Sequence, residues 1–453
     1  MYVGLFGRPK PEVFMMSLRL KSMLMMMLMC SAALAGCLGS DDEKKEDADD
    51  DTDDVVEPVV DPKPEWLDES DAGYTYASNV DNHRSLMKDL CDIKAAASSD
   101  GGYDFAEAKS IYMSGKNAEK SDGSFRTLAG FAAATGKNHG YDTFYDMNGS
   151  VDAHIMAAMD GTGDFEGVSD TVRYQGIAKL TANLGMVAYT IHELNSAVGK
   201  ADAGNVDNDS GAPHNWDEGW AFFHGPDEDW SCSPAYTMKK RAADFGTTTN
   251  DVSNALSASE AAMVSGLAAL QAEDADGYNA AVDTVMKNVV ITYSQAVLKY
   301  TSKMDSNDTA EKYQAEGYAF WKTIEAYVAD YSDACYNNQT HGMAWIGAGQ
   351  ASNCDAFSWY ENATMPGGTF TGCYNIETHT VATGVNETQC DEGFGSVGSN
   401  GMPMYYDNYG ADEMNKILDL TDSSQLGTSY DVSAWFTGAW AHYGITADDI
   451  GSM

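Results

Sequence analysis

Basic residues are scarce in this chain, with 27 Lys and Arg against 69 Asp and Glu and a formal charge of −42. That imbalance excludes nucleic acid and anionic lipid as partners, because each phosphate would be repelled across most of the surface. Proline is also rare, and it gathers at Pro58, Pro62 and Pro64 within an acidic run. No Cys-x-x-Cys pair occurs, which argues against a zinc knuckle. His192-Glu193 lacks a second His four residues on, where Ser196 stands, so the zincin motif is missing. Gly115-Lys116 and Gly136-Lys137 are each followed by Asn, so no phosphate loop is formed. No catalytic constellation emerges, and the chain is read as a non-enzyme.

Long apolar runs are missing too. The longest, Met23 to Leu34, follows Arg19 and Lys21 and ends at Leu34-Ala35-Gly36-Cys37. This order describes a lipoprotein signal peptide over 1–36, with Met16 the more natural start and Cys37 the lipidated residue. Residues 37–65 then read as an acidic, disordered tether. The expectation is an exported protein, held by its lipid at the outer face of the cell membrane.

Six cysteines follow Cys37: Cys91, Cys232, Cys335, Cys354, Cys373 and Cys390. An even number in an exported chain predicts disulfides, with the pairing left open. The apolar positions Leu180, Leu184, Val187, Ile191, Leu194 and Val198 step by three and four, the stripe of a long helix. A second helix is predicted from Asn279 to Met304, with Val282, Val285, Val289, Ala296 and Tyr300 inward. Alternating runs are few, so the body is expected to be mainly α. The segment 66–334 is read as a helical domain, 335–410 as a loop-rich, disulfide-stapled insertion, and 411–453 as C-terminal helices packing on the body.

One motif occurs twice. Asp217-Glu218-Gly219-Trp220-Ala221-Phe222-Phe223 returns as Ala315-Glu316-Gly317-Tyr318-Ala319-Phe320-Trp321, each time after a long apolar helix. The duplication predicts a pseudo-symmetric helical-repeat body, with Glu218 and Glu316 in equivalent positions. Imidazole and carboxylates on neighbouring helices can assemble an oxygen- and nitrogen-ligated metal site, and His192, Glu193, Asp217, Glu218 and Glu316 are the candidate ligands. Capping and solvation are the plain alternatives for each acidic residue. Arg241, in the tight basic triplet Lys239-Lys240-Arg241, is a candidate anion holder. The loop Asn205-Val206-Asp207-Asn208-Asp209 alternates oxygen ligands as a calcium loop does, but Ser210 replaces the required Gly and Trp216 the bidentate Glu, leaving Ca a minor reading.

These segments resemble the iron-assimilating, low-iron-inducible periplasmic proteins of algae, a family related to phytotransferrins. The matching stretches are Ile111-Tyr112 to Gly115-Lys116-Asn117, Arg126-Thr127-Leu128-Ala129-Gly130-Phe131, Ile191-His192-Glu193-Leu194-Asn195-Ser196-Ala197, Gly211-Ala212-Pro213-His214-Asn215-Trp216-Asp217-Glu218-Gly219-Trp220-Ala221-Phe222, and Lys240-Arg241-Ala242-Ala243-Asp244-Phe245-Gly246. The resemblance implies extracellular capture of Fe(III), with carbonate as a companion anion, for delivery to an unknown uptake partner. Tyr189 and Tyr293 are then additional phenolate donors. The helical repeat also resembles imelysin-like surface lipoproteins, some classed as metallopeptidases, and an adhesive lipoprotein without a metal site is the third reading.

Overall fold

Polar caps set where the long helices begin. In the computed structural model, which describes residues 72–134, 140–226, 230–347, 351–395 and 404–453, eight of the body's helices carry the repeat and the candidate site. They are α1 (Asp81–Ala97), α2 (Asp170–Lys179), α3 (Met186–Asp202), α4 (Ala212–His224), α5 (Pro234–Phe245), α6 (Asn254–Gln271), α7 (Ala275–Thr301) and α8 (Ala310–Val328). Ser169, Ser233, Ser253 and Asp274 each accept a backbone N–H of the turn they precede, at the starts of α2, α5, α6 and α7. Asp274 moves the start of α7 one turn ahead of the Asn279 expected from the apolar pattern. The signal peptide, Cys37 and the tether lie outside the described residues.

Helices α2 and α3 run on through one wide π turn, Leu180–Gly185. Asn183 explains how the sequence tolerates it. Its Nδ2 donates to the Lys179 carbonyl at 2.9 Å, while its Oδ1 accepts from Thr237 at 2.8 Å and Tyr293 at 2.9 Å. The backbone strain of the turn is thus tied to side chains of α5 and α7. The predicted stripe from Leu180 to Val198 is buried throughout; each such Leu, Val or Ile contributes on the order of 1.5–3 kcal/mol over its exposed state.

The two copies of the motif sit in matching hairpins, α3 with α4 and α7 with α8. A β-carbon on Gly219 would stand 3.1 Å from Leu194 Cδ2, and one on Gly317 2.9 Å from Leu418 Cδ2. Both glycines therefore serve helix packing. The molecule is mainly α, a pseudo-symmetric helical-repeat body.

Beyond α8 the chain changes character. Strands β1 (Asp333–Tyr336), β2 (Met343–Gly347) and β6 (Tyr405–Tyr406) form one antiparallel sheet in the order β2-β1-β6. Strands β3 (Phe357–Met365), β4 (Gly368–Asn375) and β5 (Thr380–Ala382) form another. Long connections and the bridges Cys335–Cys354 and Cys373–Cys390 complete this stapled insertion. It has its own small core of Cys335, Ile346, Cys354, Phe357, Cys373 and Cys390. The third bridge, Cys91–Cys232, joins α1 to the segment before α5.

The chain then returns to the body. Helix Tyr409–Ile417 lies against α8, where Gln314 donates to the carbonyls of Ile417 and Asp419 and Trp321 to Asn415 Oδ1. Among the described residues no helix is long and apolar enough to cross a membrane.

Candidate metal centre

The first copy of the motif gathers its polar side chains from three helices and one extended segment. Helix α4 carries His214 and Glu218 one turn apart on the same face. Helix α3 brings His192 and Glu193, and α1 brings His83. His83 Nε2 and His214 Nε2 both stand 3.2 Å from one oxygen, Glu218 Oε1. Glu193 is within hydrogen-bonding contact of Glu218 and accepts from Asn215 Nδ2 at 2.5 Å. His192 Nε2 lies 3.9 Å from Glu193 Oε1 and 3.4 Å from Ser196 Oγ. Three imidazoles and two carboxylates thus share one neighbourhood, and His83, Glu193 and Glu218 are nearly sealed from solvent.

Asp217 has another task. Its carboxylate accepts from Tyr74 Oη at 2.8 Å, Ala77 N at 2.9 Å, Ser78 N at 2.7 Å and Ser78 Oγ at 2.9 Å. Four donors converge on it, three of them on Oδ2, so the carboxylate named beside Glu218 as a ligand clasps the segment before α1. Burial pushes its carboxyl up to about 6, while the hydrogen bonds from Tyr74, Ser78 and Ala77 pull the other way. Tyr74 also stacks on Trp220 at 4.2 Å, which fixes the segment over α4.

That clasp orients His214. Ser78 Oγ lies 2.8 Å from His214 Nδ1 as well as 2.9 Å from Asp217. A hydroxyl has one proton, and the carboxylate takes it, so Ser78 must accept the Nδ1–H of His214. Nε2 is thereby turned toward Glu218 Oε1, to which it donates when it carries a proton and beside which it can bind a cation once that proton is displaced.

Burial alone would push the Glu218 carboxyl up. The hydrogen bond from His214, the charges of His83 and His214, and the hydrogen bond from Glu193 outweigh it and hold Glu218 well below the usual carboxylate range. Tyr189 is close enough for both carboxylates to act on it; burial first, then Glu193 and Glu218, push its phenol up. Its hydroxyl donates to the Phe131 carbonyl.

Glu316 lies in a second cluster. Its charge acts on Lys179, Tyr174 and Tyr300, and none of the first cluster's side chains is among its partners. Arg241 belongs to this second cluster: its Nη2 is 3.0 Å from Asp244 Oδ2, and its guanidinium covers the rings of Tyr300 at 5.4 Å and Phe320 at 6.0 Å. Burial lowers the Lys179 pKa, and Glu316 offsets part of that loss. Tyr293 stands on the same side, donating to Asn183 and influenced by Arg241. The five proposed ligands are therefore divided, with His192, Glu193 and Glu218 together, Asp217 engaged elsewhere and Glu316 apart.

His83 went unnoticed in the sequence because nothing in its own helix marks it. His214 had a signal, the i, i+4 spacing to Glu218. In the loop at Asn205, Asp207 Oδ1 accepts from Ser210 N, Ser210 Oγ and Asp209 N, so the loop's own bonds occupy the oxygen that calcium would need. Among the described residues no three His, Cys, Asp or Glu side chains stand with donors already disposed around an ion. The 3.2 Å contacts are hydrogen-bond lengths, against about 2 Å for coordination, and Glu218 Oε1 occupies the point that both imidazoles address.

Residues 70–329 match the family model described as low iron-inducible periplasmic protein. No curated protein and no solved structure matches the chain.

Proposed function

Because the chain belongs to the low iron-inducible periplasmic protein family, we propose that it captures ferric iron outside the cytoplasm and passes it to an uptake system. The ligand set of this reading is His83, His192, Glu193, His214 and Glu218. The observation that carries it is the Ser78 hydroxyl, which donates to Asp217, accepts from His214 Nδ1 and so turns His214 Nε2 toward the carboxylates. A hydrogen bond of this kind to the far ring nitrogen orients metal-binding histidines. Imidazole and carboxylate together suit iron. Iron must displace the proton shared by Glu193 and Glu218, so uptake releases protons and weakens in acid.

Arg241 gives Nη2 to Asp244 and faces two aromatic rings, while its buried Nε and Nη1 have no hydrogen-bond partner among the described residues; the iron site proposed here does not include it. This reading includes the lipid at Cys37, which would keep the site close to its membrane partner, and it assigns no hydrolytic step to the chain. The test is a titration of the mature protein with ferric citrate, following bound iron and the nitrogen couplings of the ferric electron-spin signal. One iron per chain with imidazole nitrogen couplings is expected. Absence of bound iron, or iron with oxygen ligands alone, would refute the assignment.

A further inference from the structure

The stapled insertion contains a duplication of its own. Cys335-Tyr336-Asn337-Asn338-Gln339-Thr340-His341 returns as Cys373-Tyr374-Asn375-Ile376-Glu377-Thr378-His379, and Cys354-Asp355-Ala356-Phe357 returns as Cys390-Asp391-Glu392-Gly393-Phe394 with one residue inserted. The bonding repeats with the letters. Each leading Cys is bridged to the trailing Cys of its own copy. Asn337 Oδ1 accepts the N–H groups of Gln339 and Thr340, and Asn375 Oδ1 those of Glu377 and Thr378, all at 2.9 Å.

Contacts between the copies are reciprocal. Asn337 Nδ2 donates to the Gln389 carbonyl, just before the second copy's trailing Cys, and Asn375 Nδ2 to the Asn353 carbonyl, just before the first copy's. Asn338 N reaches Gly393 O, and Ile376 N reaches Ala356 O. Phe357 and Phe394 stack at 4.3 Å. Residue i meeting j while j meets i is the signature of a two-fold pair.

Folding explains the repeated Cys and Asn but not the repeated His. His341 has φ 58° and His379 φ 57°, the left-handed region where Gly or Asn costs less. Both side chains are exposed. Each ring is held through Nδ1 by the Tyr of its own copy, at 2.5 Å from Tyr336 Oη and 2.8 Å from Tyr374 Oη. A strained, exposed residue kept and oriented in both copies points to function.

We infer that the insertion is a two-fold pair of disulfide modules, whose two Tyr–His loops are equivalent contact sites for a neutral polysaccharide. The charge of the segment selects that partner. From Asp333 to Tyr406 there is no Lys or Arg, against seven Asp and Glu, so anionic polymers are repelled. Aromatic faces flanked by amide and hydroxyl groups suit uncharged, hydroxyl-rich rings. Two equivalent loops favour a ligand that repeats, since the second contact is then intramolecular. The inference is independent of the metal centre.

The test uses the mature protein on insoluble cellulose, β-1,3-glucan and mannan, beside His341→Gly, His379→Gly and the double variant. Glycine suits the left-handed backbone, so the variants should keep both bridges and match or exceed the parent's Tm. Retention on at least one polymer, weakened about tenfold or more by either single change and lost in the double variant, is expected. Failure of the parent to bind any of the three, or equal binding by the double variant, would overturn the proposal. So would histidine-dependent dimerisation of the free protein in place of retention.

Discussion

The two copies of the Glu-Gly-aromatic-Ala-Phe motif share a backbone and differ in their company. Glu218 meets two imidazoles and a second carboxylate, with His192 beside that carboxylate, whereas Glu316 sits among Lys179, Tyr174, Tyr300 and the neighbouring Arg241. Four residues before Glu218 stands His214; four before Glu316 stands Lys312. The motif itself is thus a packing unit, with its Gly bringing a second apolar surface close, and the chemistry comes from what other helices contribute. The duplication preserved the scaffold and let the surroundings diverge, the first copy facing imidazoles and a carboxylate, the second Lys179 and Arg241.

The difference can be broken at its strongest point by His83→Ala, which removes an imidazole that α1 supplies to the first cluster alone. Iron affinity is expected to fall about 100-fold, near 2.7 kcal/mol, while Arg241→Ala stays within about threefold of the parent in the same titration. Asp217→Ala should destabilise the fold by about 3 kcal/mol, because four buried donors lose their acceptor; chemical denaturation with an unchanged m-value would show it. Iron affinity should drop in that variant as well, by about tenfold, through the loss of the Ser78 clasp on His214.

The second copy's surroundings offer a pH test. Burial, then Lys322, lower the His154 pKa to about 4 against the pull of Asp164 and Glu325. The unfolded chain takes up this proton near pH 6.5 and the folded chain only near pH 4, so the stability contributed is complete above 6.5 and is lost as pH falls between them. His154→Gln should remove about 3 kcal/mol of that decline, read as the difference between the two proteins' stability curves. Gly219→Ala and Gly317→Ala form the smallest comparison. Each should shift stability by about 1 kcal/mol and in the same direction, because each crowds a single Leu methyl; opposite signs in thermal denaturation would end the claim that both glycines do the same work.

Much of the body was legible because periodicity reports burial directly. The stripe from Leu180 to Val198 and the core face of α7 followed from spacing, and His192, Glu193 and Glu218 stood out as polar groups on apolar helices. The π turn at Leu180–Gly185 was not readable, since its stability rests on Asn183 meeting Thr237 and Tyr293 from distant helices. Strands β1 to β6 escaped notice because none shows a clean apolar alternation: β1 is short and almost wholly buried, and the longer β3 and β4 are largely exposed. His83 could not be placed without knowing that α1 packs on α4. Glu316 was grouped with Glu218 by a repeat that preserves the hairpin and changes every polar neighbour.

The most direct measurement is iron stoichiometry by equilibrium dialysis for Glu218→Ala and Glu316→Ala prepared side by side. The account predicts that Glu218→Ala binds no iron and Glu316→Ala binds as much as the parent. Retained iron in Glu218→Ala, or equal loss in both, would contradict a centre built from the first copy alone.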